Sequence, residues 1–158
     1  MKHPLTLCLL MAVIFTLNAQ SKKENIEALN KLFAHKFYYY ALSQRATDEG
    51  LYFFNVSEED LIEKDAKGSF PLSFEFLKWS DMETATIKTN TSNNTRYLWL
   101  GGPSKEYMRD EDKNDIQFDG RSYAFYKKHE GISIFGVDSA EVNRLNAIAM
   151  LINIIRKQ

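Results

Sequence analysis

Few side chains in this sequence are suited to chemistry, and their spacing limits what they can do. Three histidines are present: His3, His35 and His129. A histidine acting as general base needs a positioned nucleophile or carboxylate beside it. His35 falls on the wet side of a helical pattern and His129 beside a Glu130-Gly131 turn signal, and no neighbour in sequence pairs with either. Cys8 is the single cysteine, so thiolate sites and tetrahedral zinc lack their ligands. Asp110, Asp112 and Asn114 begin like a calcium loop. The sixth and twelfth positions then hold Asp115 and Arg121, where glycine and a bidentate glutamate are required. Gly101-Gly102-Pro103 lacks the lysine and helix start of a phosphate cradle. No metal and no cofactor is expected.

Two options survive this elimination. Asp110, Glu111, Asp112, Asp115 and Asp119 could supply a carboxylate pair of the kind glycan hydrolases use, provided two of them converge in one cleft. The other option is contact rather than catalysis. Phe37, Tyr38, Tyr39 and Tyr40 are consecutive, and at 100° per residue a helix cannot turn all four rings into one core. Tyr38 and Tyr39 are therefore the candidate binding residues, because tyrosines on a rigid element form contact surface at low entropic cost. Asn55-Val56-Ser57 and Asn93-Asn94-Thr95 match the short glycosylation pattern, which matters only in a eukaryotic host.

The elements that would position these groups follow a short basic start, Met1-Lys2-His3, and an apolar stretch over residues 4–19. That layout is a signal peptide ending at Ala19, and the stretch is shorter than the roughly 20 residues of a membrane-spanning helix. The expected mature chain, residues 20–158, is one α+β domain that is exported to the periplasm or exterior and keeps no stable membrane anchor. It has no cysteine to cross-link it, so packing alone must hold it. The full sequence has 20 Lys and Arg against 21 Asp and Glu, and without Lys2 the mature chain has 20 − 1 = 19 against 21, a net charge of −2 that does not attract nucleic acid.

Ile26, Leu29, Phe33, Phe37 and Tyr40 recur at helical spacing and predict a helix over residues 25–43, ended by Thr47-Asp48-Glu49-Gly50. Period-two patterning predicts strands at 51–56, 70–76, 84–89, 96–100, 116–118, 122–127 and 132–137, with either a hairpin over 61–68 leading into the Phe70 strand or a short helix capped by Ser57-Glu58-Glu59-Asp60. Asn90 to Asn94, Asp119-Gly120 and His129-Glu130-Gly131 read as turns. Gly101 to Asp115 reads as a long hydrophilic mobile loop. Asp138-Ser139-Ala140-Glu141 caps a closing helix in which Val142, Leu145, Ile148, Ala149, Ile152 and Ile155 form one face, widened by Ala147, Leu151 and Ile154. So wide an apolar face requires cover on two sides, by the sheet and by the first helix. The expected fold is α+β: a bent, mostly antiparallel sheet of about six or seven strands between two helices.

Ile132-Ser133-Ile134-Phe135-Gly136-Val137, running through a cap into an amphipathic helix, resembles the pleckstrin-homology-like barrel. The likeness is one of layout and covers Leu51 to Lys157. It implies that the closing helix plugs one end of a strongly bent sheet. The helix has no tryptophan where that superfold often carries one. Lys64 and Lys67 are followed by Ser73, Phe74 and Glu75, which departs from the family's phosphoinositide pattern. The expected function is a non-catalytic binding or interaction module with a protein, peptide or glycan partner. The alternatives are a carboxylate-based extracytoplasmic hydrolase and a small-ligand carrier.

Overall fold

The protein's structure is a computed structural model that describes residues 20–34, 42–55, 62–65, 68–136 and 138–158. The expected signal segment 1–19 lies outside these residues, as do His35, Tyr38 and Tyr39. Helix α1 (Lys22–Phe33) opens with a capping box: Glu24 N–H donates to the Ser21 hydroxyl at 3.3 Å, and Ser21 N–H donates to the Glu24 carboxylate at 2.8 Å. Ile26, Leu29 and Phe33 turn inward. The helix is shorter than the pattern over 25–43 implied, because Leu42 already opens strand β1 (Leu42–Ala46). Thr47 to Gly50, expected to end the helix, instead closes a hairpin into β2 (Gly50–Asn55), with Thr47 N–H donating to Gly50 O at 2.9 Å. Apolar residues three and four apart can serve either element, and pairing with β2 over five residues decided for the strand.

The remaining elements are β3 (Ile62–Asp65), β4 (Gly68–Pro71), β5 (Ser73–Lys78), β6 (Thr86–Thr89), β7 (Arg96–Arg109), β8 (Ile116–Phe118), β9 (Arg121–Gly136) and the closing helix α2 (Ser139–Ile155). Seven strands make one antiparallel sheet in the order β1-β2-β5-β7-β9-β8, with β6 also on β7, while β3 and β4 form a separate hairpin. The sheet curls into a half-barrel with both helices against its inner face, an α+β fold. The alternation expected over 70–76 is split at Leu72. β4 ends at Pro71, which has no N–H to donate to a ladder, and β5 restarts at Ser73. Asp119 and Gly120 make the expected tight turn with φ of 47° and 74°.

Two expectations fail together. Gly101 to Asp115 is a mobile loop only in hydrophilicity, because β7 runs on to Arg109 and pairs with β5 on one side and β9 on the other. His129-Glu130-Gly131 is not a turn but the middle of the continuous β9. Ser104 and Glu106 meet polar partners across the sheet, Glu75 for the first and Lys127 and His129 for the second. Gly131 stands opposite Gly101 beside a register shift, where the strands change alignment without breaking.

The two faces of the sheet are packed differently. On the inner face Leu51, Phe53, Leu77, Leu98, Leu100, Ile132 and Ile134 join the apolar sides of both helices in one aliphatic core. Within it Leu145, Ile148 and Ile152 of α2 have no exposed surface. Two asparagines fasten the helices to free strand backbone. Asn30 pairs with the N–H and C=O of Ala46 at 2.7 and 2.9 Å, and Asn153 does the same to Ala85 at 2.9 Å each. The outer face is aromatic: Tyr52, Phe54, Phe74, Phe76, Tyr107, Phe118 and Tyr123 form a second cluster, with neighbouring ring centroids 4.5–6.2 Å apart. Phe70 of β4 covers this cluster, with the guanidinium carbons of Arg109 and Arg121 4.5 and 4.1 Å from its ring centre.

Truncating Ile148 to alanine should cost about 2–5 kcal/mol of stability in a urea titration. Exposed Lys157→Ala should stay within about 0.5 kcal/mol. Equal effects would show that α2 is not a packed element.

Candidate functional site

The five nominated carboxylates do not converge. Asp110 accepts the N–H groups of Asp112 and Lys113 at 3.0 and 3.1 Å and so shapes its own turn. Glu111, 81 % exposed, pairs with Arg109 at 2.6 Å. Asp115 accepts Phe125 N–H at 2.8 Å, and Asp119 faces Arg45 across 3.5 Å at the surface. Asp112 is exposed.

A different pair does meet. Register places Gln44, Phe53, Glu75, Glu106 and Lys127 in one line across β1, β2, β5, β7 and β9. Directly opposed residues carry their side chains on the same face, so Glu75 and Glu106 stand side by side beyond the aliphatic core. Glu106 has two basic neighbours, with its Oε2 3.2 Å from Lys127 Nζ and 3.1 Å from His129 Nε2. Glu75 takes a hydrogen bond from the hydroxyl of Ser104, a residue with no exposed surface. Burial pushes the Glu75 carboxyl above its ordinary value. The Ser104 hydroxyl and the positive charge of His129 oppose that rise, while Glu106 adds to it. One carboxyl pushed up by burial beside a second that faces basic groups is the kind of asymmetry acid–base pairs use. His129 thus has the carboxylate partner that nothing in its sequence neighbourhood offered. The signal was absent because Glu106 and His129 are 23 residues apart and meet only through a shifted register.

A second feature lies at the opposite end of β7. The turn from β6 to β7, the ends of β7 and β9, and the first turn of α2 enclose an open groove of about 700 Å³. Asn90, Asn93, Asn94, Arg96, Phe135 and Asn143 are among its walls. The side-chain oxygens of Asn90 and Asn93 accept the N–H groups of Ser92 and Thr95 at 3.0 and 3.1 Å, so their amide nitrogens remain as donors. Asn94 holds φ at 58°, a conformation asparagine tolerates better than most residues. Among the described residues no carboxylate pairs with Arg96, and the ring of Phe135 lies 5.2 Å from that of Tyr97. The groove can therefore donate several directed hydrogen bonds against an aromatic wall. The sequence reading treated Asn90 to Asn94 only as a turn.

Glu75 holds its proton more tightly folded than unfolded. Its contribution to stability is therefore complete below the ordinary value of 4.5 and is lost as pH rises through the raised folded value. Glu75→Gln, which keeps an acceptor for Ser104, should gain stability relative to the native chain as pH rises from 4 to 8. Denaturation midpoints measured across that range check this, and parallel profiles for the two proteins would refute the burial argument.

No family model, no curated protein and no solved structure matches the chain, so its functional reading rests on the geometry of these sites.

Proposed function

We propose that the protein is an exported, non-catalytic binding module of the periplasm or exterior, and that its ligand lies in the amide-lined groove. The observation that carries this reading is the donor set: asparagine amides and the Arg96 guanidinium border a groove of about 700 Å³ with the Phe135 ring beside them. Ligand sites commonly combine such a concavity with a few polar groups that fix orientation. The partner is a peptide, protein or glycan that presents hydrogen-bond acceptors. The pleckstrin-homology-like layout, with α2 against one face of a curled sheet, is part of the proposal, and such folds present ligands to strand ends and loops as readily as to a cavity. Export rests on the apolar segment 4–19 after Lys2.

A second reading, acid–base hydrolysis, is favoured by the neighbouring Glu75 and Glu106, the first of which burial pushes above its ordinary value. Polysaccharide hydrolysis that falls more than 100-fold in both Glu75→Gln and Glu106→Gln would turn the assignment from module to enzyme. The small-ligand carrier draws less support, since aliphatic side chains fill the inner face of the sheet and packed rings much of the outer.

Titration of residues 20–158 with acidic peptides and oligosaccharides, followed by NMR amide shifts, should perturb Asn90 to Arg96 and Asn143. Arg96→Ala should weaken that binding at least 10-fold with the thermal midpoint unchanged. Shifts confined to other surfaces, or none at millimolar ligand, would overturn the groove assignment. Mass spectrometry of the exported product should give a chain starting at Gln20, and one starting at Met1 would overturn the export proposal.

A further inference from the structure

The strands β6, β7 and β9 carry a second surface immediately beyond the groove. Leu98 and Leu100 of β7 point into the aliphatic core, so Tyr97 and Trp99 point to the outer face. Register puts Thr86 and Ser133 on either side of Trp99, and Lys88 and Phe135 on either side of Tyr97. These six residues therefore share one patch of the outer face, and the three aromatic rings in it are half-buried.

Trp99 has an unusual seat. A β-carbon added at Gly131 would come within 2.7 and 2.8 Å of the indole's six-membered ring, and one at Gly101 within 3.1 Å of its Nε1. The ring thus lies along the sheet over two glycines that face each other across β7 and β9. The carboxylate of Glu83 also crowds the space above Gly101, which brings it to the N–H edge of the indole. The Lys88 ammonium lies 4.7 Å from the ring centre, as expected of a cation drawn to the electron-rich face of an aromatic ring.

We infer that this patch is a saccharide platform: a pyranose ring displaces the Lys88 ammonium from the outward face of Trp99 and lays its C–H face there, while Glu83 accepts from its hydroxyls and the displaced Lys88 donates to them. The inference rests on the binding-module reading and gives the ligand its chemical class. Charge complementarity selects that class. An anion would meet Glu83, a cation would meet Lys88, and an apolar partner would bury both without pairing them. A neutral polyhydroxyl ligand uses the acceptor, the donor and the Thr86 and Ser133 hydroxyls together. The aromatic surface continues through Tyr97 to Phe135, which is also a wall of the groove, so a chain of several sugar units can run from the platform into the amide donors.

The glycine seat also has a purely structural use, because a tryptophan covering paired glycines protects their backbone. The two roles separate in the test. Residues 20–158 are titrated calorimetrically with neutral hexasaccharides of β-linked glucose and of β-linked N-acetylglucosamine. At least one should bind saturably, with affinity falling 10-fold or more in Trp99→Ala and three-fold or more in both Lys88→Ala and Glu83→Gln. Those last two residues are exposed, so their variants should keep the native thermal midpoint and settle the matter even if Trp99→Ala unfolds. No binding of either sugar at 10 mM, or binding indifferent to Lys88 and Glu83, overturns the platform. If peptides still perturb the groove while sugars do nothing, the ligand class fails and the module survives. If neither ligand binds, both readings fall.

Discussion

Helix α2 packs against the inner face of the curled sheet on one side and against α1 on the other. Leu145, Ile148 and Ile152 are sealed completely in this arrangement. Burial of that order, at roughly 25 cal/mol per Å² of apolar surface, is the dominant favourable term open to a chain whose described part has no cross-link. The contact also accounts for the polar fastenings around it. Asn153 and Arg156 reach from α2 to the backbone of Ala85 and Met82, and Asn30 reaches from α1 to Ala46. Each satisfies backbone groups that would otherwise lie half-buried without a partner. The helices are thus held to the sheet edges by hydrogen bonds and to its centre by aliphatic packing.

With the inner face committed to α1 and α2, the outer face is left to support itself. It does so with aromatic rings in mutual contact over β2, β5, β7, β8 and β9, covered by the Phe70 hairpin between two guanidinium groups. Large rings suit a face that has no helix above it, since each buries more area than an aliphatic residue and tolerates a polar edge. Toward the β6 end that cover stops, and Tyr97, Trp99 and Phe135 remain half-buried. Burial of one face of the sheet therefore dictates where the other can meet a partner.

The carboxylate row and the groove occupy opposite ends of the same long strand, β7. The row is internally paired: Glu106 faces Lys127 and His129, while Glu75, pushed up by burial, accepts from the Ser104 hydroxyl. Like charges directly opposed in a sheet are destabilising unless compensated in this way. The groove is the reverse case: Asp138 in its wall accepts the Glu141 N–H, and among the described residues no carboxylate lies within ion-pair distance of Arg96. Surplus hydrogen-bonding capacity at a strand end is open to a ligand in a way that a closed network is not.

Local pattern determined the elements whose signals are complete within a few residues. The capped and strongly apolar α2, the Asp119-Gly120 hairpin, the short β8 and the α+β order were all legible in sequence. Tertiary structure decided whatever depended on a partner far along the chain. Ser104 and Glu106 read as loop residues because their polarity is balanced by β5 and β9 rather than by water. Gly131 reads as a turn because nothing nearby reveals that Trp99 will need the space above it. Tyr38 and Tyr39, the sequence's own candidates, fall outside the described residues, and the nominated acidic run is held apart by its local turns. Hydrophobic period and turn chemistry are properties of neighbours in sequence, whereas a binding surface is made by register, and register is set only when the strands pair.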